Sequence, residues 1–384
     1  MKKILQIPNY QYPNIGGIEQ VARDIANAIK PLDLEQKMIC FNEDAQDGDY
    51  ICKRKETVHD YVDEVEVIRC GCFAKVASQS LSFTYPWKLY KVLKDFQPDI
   101  VVLHYPNPFV SSFFLPLLKK QTKFILYWHL DITKQTKLRK LFHHQTKALL
   151  NRADVVVATS PNYVEGSPYL REYRDKCIVI PNAISQERLC VTAEIEAKAK
   201  EIRKAYLDKC LCFAVGRHVE YKGIEYLVKA SKLLDDRFAV LIGGKGPLTE
   251  SLKELAAGDD KVEFLGRVSD EDLVAYYQAC DILCFPSITK NEAFGISLAE
   301  GMYFEKPAVT FTIDGSGVNY VNLKDVTGLE VPNRDVNAYA QAMVQLCDDK
   351  QLCDAFGKQG KNRVIEYFTA QKFADNVCSL MEKV

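Results

Sequence analysis

The chain has 384 residues, 47% of them hydrophobic, with 50 Lys and Arg against 51 Asp and Glu and a formal net charge of −1. That length exceeds one ordinary core and suits two domains of about 180 residues. The near-neutral balance, with no recognised binding motif, argues against nucleic acid as a partner. No apolar run reaches the ~18 residues of a membrane span, and the amino terminus lacks the form of a signal peptide, so a cytosolic protein is expected. Thirteen cysteines, scattered without a Cys-x-x-Cys pair, predict reduced core thiols rather than disulfides or zinc ligands.

Short apolar runs alternate with amphipathic stretches along the whole chain, the pattern of a parallel sheet covered by helices on both faces. In the first half the predicted strands are 4–7, 37–41, 66–70, 100–103, 124–128, 155–158 and 177–180. The first strand is followed by Asn14-Ile15-Gly16-Gly17-Ile18-Glu19, a glycine pair opening a helix. Glycines there admit a ligand to free N–H groups at the positive helix end, which favours phosphate, although a tight turn explains the pair equally well. The absence of Gly-x-Gly-x-x-Gly argues against a nicotinamide dehydrogenase.

Residues 1–190 carry 26 Lys and Arg against 21 Asp and Glu, and the remainder 24 against 30. Within the first half, 112–152 holds nine basic residues and one acid, Asp131. A predicted helix over 134–150 interleaves these charges with Leu138, Leu141, Phe142, Leu149 and Leu150. It reads either as an interfacial helix on an anionic membrane or as a surface helix with its apolar stripe in the core. Just before it, the strand 124–128 delivers His129 and Asp131 at its carboxyl end. His129 is a candidate for orienting a sugar hydroxyl, and Asp131 for receiving or positioning an acceptor hydroxyl. No second His or Cys is spaced to complete a metal site with them, so none is predicted.

After Pro181-Asn182-Ala183, a charged helical segment around 193–206 leads to a second strand series: 211–215, 238–243, 262–265, 282–285, 308–311 and 328–331. The linker is expected near 182–208, and one last helix over 362–382. Two such units in series would place ligands at the carboxyl ends of their strands. There the second unit brings Gly216-Arg217 and Lys222-Gly223, two cations suited to clamp a diphosphate and neutralise a leaving group. Gly243-Gly244-Lys245-Gly246-Pro247 and Asp314-Gly315-Ser316-Gly317 follow strands and read as turns or as close approaches to a nucleotide. In Glu292-Ala293-Phe294-Gly295-Ile296-Ser297-Leu298-Ala299-Glu300, two carboxylates stand eight residues apart where a loop enters a helix. At ~1.5 Å per residue that is roughly 12 Å, too far for the ~5–9.5 Å of a hydrolytic carboxylate pair. The spacing fits two ends of one elongated ligand, such as a nucleotide-sugar.

Together these segments, with Val179-Ile180-Pro181-Asn182, Phe264-Leu265-Gly266-Arg267-Val268, Pro286-Ser287 and Thr327-Gly328-Leu329, resemble the retaining glycosyltransferases of family 4 over nearly the entire chain. The resemblance implies the α/β GT-B fold, two Rossmann-like doubly wound domains facing each other across a deep cleft. It assigns 1–188 to an N-terminal acceptor domain, 189–361 to a nucleotide-sugar domain, and 362–384 to a C-terminal helix returning to the first domain. The implied reaction moves a sugar from a nucleotide-sugar to a hydroxyl with retention of configuration, with no cofactor and no essential metal.

Carried over by residue, Arg217 and Lys222 meet the diphosphate with the backbone of Gly16 and Gly17, and Glu300 takes the ribose. Glu292, with the backbone of Ala293, Phe294 and Gly295, meets the donor sugar, Val268 meets the base, and His129 contacts the sugar. Leu130 stands where many relatives have Ser. The segments 128–132 and 318–322 look like those of bacterial polysaccharide mannosyltransferases. They favour GDP-mannose as donor and a lipid-linked oligosaccharide as acceptor at the inner face of the membrane, with UDP-hexoses as the alternative. A GT-B sugar phosphorylase or epimerase, an exported sugar-binding protein and an inactive scaffold are the rival classes.

Overall fold

The computed structural model describes residues 1–14, 16–43, 51–76, 79–132 and 136–384, without the side chains of 136–141. By contacts the chain forms two compact units. The first comprises Met1–Thr159, Ser167–Ile180 and Phe373–Val384, the second Ser160–Gly166 and Pro181–Lys372.

The first unit is built on β1 (Lys2–Ile7), β2 (Leu34–Phe41), β3 (Val58–Val62), β4 (Val65–Cys70), β5 (Ala74–Val76), β6 (Gln79–Leu81), β7 (Ile100–Tyr105), β8 (Lys123–Trp128), β9 (Val155–Ala158) and β10 (Cys177–Val179). Eight of these form one sheet in the order β10-β9-β8-β7-β1-β2-β4-β3, while β5 and β6 pair as a separate hairpin. Every residue of β7 is buried, as a central parallel strand with helices on both faces requires. All pairings in the large sheet are parallel except β3 with β4. That edge hairpin, absent from the sequence-based expectation, turns through Asp63 and Glu64, both with positive φ.

The second unit carries β11 (Cys210–Val215), β12 (Phe238–Gly243), β13 (Val262–Gly266), β14 (Ile282–Phe285), β15 (Ala308–Phe311) and β16 (Gly328–Val331). They form one parallel sheet in the order β13-β12-β11-β14-β15-β16. The order reverses between β11 and β14, so the loops after these two strands leave a crevice at their carboxyl ends. The helix Ala193–Ala205, started by the Thr192 side chain accepting from Ile195 N, lies where the charged linker helix is expected.

The single last helix expected over 362–382 is instead two helices, Lys350–Tyr367 and Ala370–Lys383. The break has a packing cause. Phe368 is fully buried, edge-on to Phe294 and Tyr320, and its carbonyl accepts from Ile184 N at 2.8 Å. All thirteen cysteines are free thiols, six of them buried.

Candidate active site

In the second unit, β11 ends at Val215 and the chain passes through Gly216 to Arg217, whose side chain is exposed. Its carbonyl accepts from Val219 N at 2.9 Å, and its side chain joins no hydrogen bond or ion pair among the described residues. Lys222 follows in a short 3₁₀ turn, Glu220–Lys222. Gly223 then takes a left-handed φ of 61°, and a Cβ there would stand 2.2 Å from the Pro286 carbonyl. Only glycine lets the β11 and β14 loops meet this closely, and Ile288 N seals the contact on Tyr221 O at 2.9 Å. The consequence is an ion pair between Lys222 Nζ and Glu292 Oε2 at 2.5 Å, with the two side chains 16% and 12% exposed. Burial works against the charged ammonium, but Glu292 outweighs it and the Lys222 pKa is raised. Nζ also lies 5.2 Å from the Phe285 ring centroid.

Glu292 accepts from Ser287 Oγ at 3.2 Å, and its carbonyl accepts from Ser316 Oγ at 2.5 Å. Gly295, at φ 97°, caps the helix Ile296–Tyr303, so the backbone of Ala293, Phe294 and Gly295 leads straight into that helix's N-terminus. The Phe294 side chain is buried against Phe368. Val268, half-buried, packs over Gly243, where a Cβ would come within 2.8 Å of its Cγ2.

Glu300 lies in the same helix and is 2% exposed. One carboxylate oxygen pairs with Arg188 Nη2 and the other accepts from Tyr277 Oη at 3.1 Å. Arg188 also bonds Asp270 at 2.9 Å. The sequence reading missed Arg188 and Tyr277, because nothing in the local pattern ties them to a glutamate 112 and 23 positions away. An ionised carboxylate has about four acceptor positions, so these bonds leave Glu300 capacity for further donors.

The two glycine-rich segments have a packing explanation. A Cβ on Gly244 would fall 1.9 Å from Gly216 O, on Gly246 2.4 Å from His218 O, and on Gly317 2.1 Å from Ala293 O. These glycines let the loops that hold Arg217 and Glu292 touch backbone to backbone.

In the first unit, Gly16 is the N-cap of the helix Gly17–Ala28. A Cβ on Gly16 would lie 2.3 Å from Glu19 Oε2, whereas nothing stands within 4 Å of one on Gly17. Glu19 thus folds back over the helix start, and burial pushes its pKa up to about 7. The loop before the glycines is pinned by the fully buried Arg69, which donates to Gln11 O at 3.3 Å and Tyr12 O at 2.5 Å and pairs with Asp60.

His129, just past β8, is buried, and its N–H donates to Tyr105 O at 3.0 Å. Its Nε2 lies 2.9 Å from His104 Nδ1. Burial drives the His129 pKa well below the usual range and that of His104 down to about 3. Asp131 is 3% exposed, and its Oδ1 accepts from Trp128 Nε1 at 3.1 Å and Ser167 Oγ at 2.8 Å. These bonds tie Asp131 into the end of β8.

Of the expected basic helix, found as Thr136–Arg152, Lys134 and the side chains of Lys137, Leu138, Arg139, Lys140 and Leu141 lie outside the described residues. Leu149 and Leu150 are fully buried, and Arg152 spends its guanidinium on the carbonyls of Lys119, Lys120 and Thr122. This end of the helix therefore belongs to the core. Among the described residues no group of three or more His, Cys, Asp or Glu side chains is gathered to hold a metal ion, and no helix is long and apolar enough to cross a membrane.

Two Rossmann-like units, the second carrying cations and carboxylates at its strand ends, are those of a GT-B glycosyltransferase. Residues 15–188 match the model of Glycosyltransferase Family 4 and residues 195–363 that of Glycosyl transferases group 1. The chain is 30% identical to O-antigen chain mannosyltransferase C of Escherichia coli, over 98% of its own length and 97% of that protein's. It is 34% identical to D-rhamnosyltransferase WbpZ of Pseudomonas aeruginosa over 77% of each. Among solved structures, sucrose-phosphate synthase from Thermosynechococcus elongatus superposes with a TM-score of 0.78 at 20% identity, covering 100% of this chain and 99% of that one. The chain belongs to glycosyltransferase family 4.

Proposed function

We propose that this glycosyltransferase moves a hexose, with mannose from GDP-mannose favoured, to a hydroxyl of a lipid-linked oligosaccharide during assembly of a bacterial surface polysaccharide. Transfer retains the anomeric configuration and requires no metal. The observation that carries the reading is the cluster at the ends of β11 and β14, where the Arg217 guanidinium, unpaired among the described residues, stands beside the Lys222–Glu292 pair. Arg217 forks onto diphosphate oxygens and Lys222 adds a point charge, so together they stabilise the departing nucleoside diphosphate. Glu292 and the backbone of Ala293, Phe294 and Gly295 face the sugar, Val268 the base and Glu300 the ribose. Gly16 and Gly17 meet the diphosphate, and His129 a sugar hydroxyl.

The mannosyl- and D-rhamnosyltransferase relatives support the choice of donor class. A UDP-hexose is the competing donor. Thermal stabilisation across GDP- and UDP-sugars tests the choice, since a ligand at 100 times its Kd adds ~2.7 kcal/mol. Stabilisation and turnover by GDP-mannose are expected. A response to UDP-sugars alone refutes the proposed donor, and phosphate-dependent cleavage without nucleotide refutes transfer.

For the lipid-linked acceptor, the first unit offers a support that the sequence reading did not single out. Trp87 and Tyr90, 66% and 41% exposed, stand three apart on the helix Tyr85–Asp95, and Phe83, 80% exposed, lies just before its start. Exposed Lys91 and Lys94 continue the stripe. Aromatic side chains favour the headgroup level of a bilayer, and each nearby lysine adds about 1 kcal/mol on an anionic surface.

A further inference from the structure

Three neighbouring strands of the first unit place Gln6, His104 and His129 on one face of the sheet. Gln6 of β1 is in register with Val102 of β7, so His104, two residues on, shares its face. His104 is in register with Tyr127 of β8, so His129, two residues on, shares it again. The side chains join in a row: His129 Nε2 to His104 Nδ1 at 2.9 Å, and His104 Nε2 to Gln6 Oε1 at 3.2 Å, with the two imidazoles stacked at 12°. The row ends at Gln6 Nε2, which lies 3.2 Å from Ala22 O.

A carbonyl only accepts, so that end fixes the direction of every bond. The Gln6 atom facing Ala22 must be the amide nitrogen, which leaves its oxygen facing His104. His104 Nε2 must therefore carry a proton. His104 is fully buried and His129 only 6% exposed on this sheet face, a setting that favours their neutral forms. A neutral His104 protonated at Nε2 has a lone pair at Nδ1, so His129 must donate from Nε2. His129, also neutral, is left with a lone pair at Nδ1, and among the described residues no group bonds to that atom.

We propose that Gln6 and His104 are positioning residues that lock His129 as its Nε2–H tautomer and present Nδ1 as an acceptor for a hydroxyl donated by the bound sugar. The inference rests on the reading that His129 meets the donor sugar. Opposite tautomers have opposite preferences: an Nδ1–H ring would donate to a carbonyl or ether oxygen, whereas the lone pair selects a group that carries a proton. A lock of this kind sets the imidazole's role without a charged partner, and it adds two residues on other strands to the determinants of sugar recognition.

Histidine-selective ¹⁵N labelling of the full chain gives the direct test, with the six histidines assigned through single variants. Long-range ¹H–¹⁵N correlations at neutral pH should show His104 and His129 protonated at Nε2 alone. His104→Asn puts an amide oxygen where Nδ1 stood and should keep turnover within about threefold of wild type, whereas His104→Leu and Gln6→Met should each lose about tenfold in kcat/KM. A merely structural role predicts the reverse order for Asn and Leu in a buried apolar setting. Among deoxyfluoro donors, the one altered at the recognised hydroxyl should lose as much as its deoxy counterpart, because fluorine cannot donate. An Nδ1–H signal for His129, or a His104→Asn variant no better than His104→Leu, overturns the lock. A His129→Ala chain with normal turnover overturns instead the reading that His129 meets the donor.

Discussion

Truncating Lys222 removes an ammonium that sits 2.5 Å from Glu292, with both side chains largely out of water. Breaking one side of a buried pair costs about 3–5 kcal/mol, while an exposed pair is worth about 0–1. At 16% and 12% exposure the expectation for Lys222→Ala is about 2–3 kcal/mol, part of it the ~0.5–1 kcal/mol contact with the Phe285 ring. Glu292→Ala strands the ammonium beside Arg217, which already opposes its charge, and should cost a similar amount. The double variant has no stranded charge. It should cost about 1–2 kcal/mol less than the sum of the singles, the coupling expected of direct neighbours. Both tryptophans, Trp87 and Trp128, belong to the first unit, so indole fluorescence is the wrong probe. Native-state hydrogen exchange in peptides covering 210–230 and 282–303 reads the second unit directly. Turnover should fall about 100- to 1000-fold in each single variant and stay low in the double variant despite its regained stability. Additivity within ~0.5 kcal/mol would sink the pairing, and near-normal turnover by folded Lys222→Ala would sink the leaving-group role.

Arg188→Met should leave Glu300 buried with Tyr277 as its remaining side-chain donor, lowering second-unit stability by roughly 2–3 kcal/mol and weakening donor binding at least tenfold; adding Glu300→Gln should restore part of the stability but not the binding. Melting curves with and without nucleotide decide this, and wild-type behaviour of Arg188→Met refutes it. Glu19 titrates near 7 in the folded chain against an ordinary 4.5, so the folded state holds a proton that the unfolded state has lost. The associated stability is complete below pH 4.5, falls as pH rises toward 7 and is gone above it, about 3 kcal/mol in all. Urea midpoints of Glu19→Gln should lack that decline, and parallel curves for the two proteins would refute the assignment. Trp87→Ala with Tyr90→Ala should reduce co-flotation with phosphatidylserine vesicles by at least fivefold at low salt while leaving transfer to a soluble acceptor intact. Unchanged flotation would remove that face from the membrane reading.

The strands were legible because each central one is a short apolar run closed by glycine, proline or a polar residue, a pattern that buried parallel strands share. Their order was not, since nothing local places β14 beside β11. The β3–β4 hairpin escaped notice because its turn uses Asp63 and Glu64 at positive φ, where the recognisable signal is Asn-Gly or Asp-Gly. The break at Phe368 was hidden for a related reason: a helical pattern runs through it, and the ring's burial is a tertiary fact. At the candidate site, Arg217, Lys222, Glu292 and Glu300 stood out by motif, whereas Arg188, Tyr277, His104 and Gln6 act across 23 to 112 positions of sequence. Asp131 stood out as a carboxylate after a strand end, and its bonds to Trp128 and Ser167 became visible only once the strand end was folded.

The partners found for these residues bear on how a donor would be bound. Glu292 and Glu300 each hold a protein cation, so neither carboxylate presents an uncompensated charge to an incoming diphosphate. Of Arg217, Lys222, Glu292 and Glu300, Arg217 is the one without an ion-pair partner among the described residues. The order of events consistent with this is capture of the diphosphate by Arg217, followed by sharing of Lys222 between Glu292 and the leaving phosphate. As negative charge builds on that phosphate, the ammonium's attraction to it grows while its attraction to Glu292 stays fixed. In the proposed role, Lys222 would therefore contribute more in the transition state than in the ground state, the only kind of interaction that raises the chemical rate. The Gly223 turn and the close approach to Pro286 hold the ammonium there in advance, so little reorganisation is left to pay for when the bond breaks.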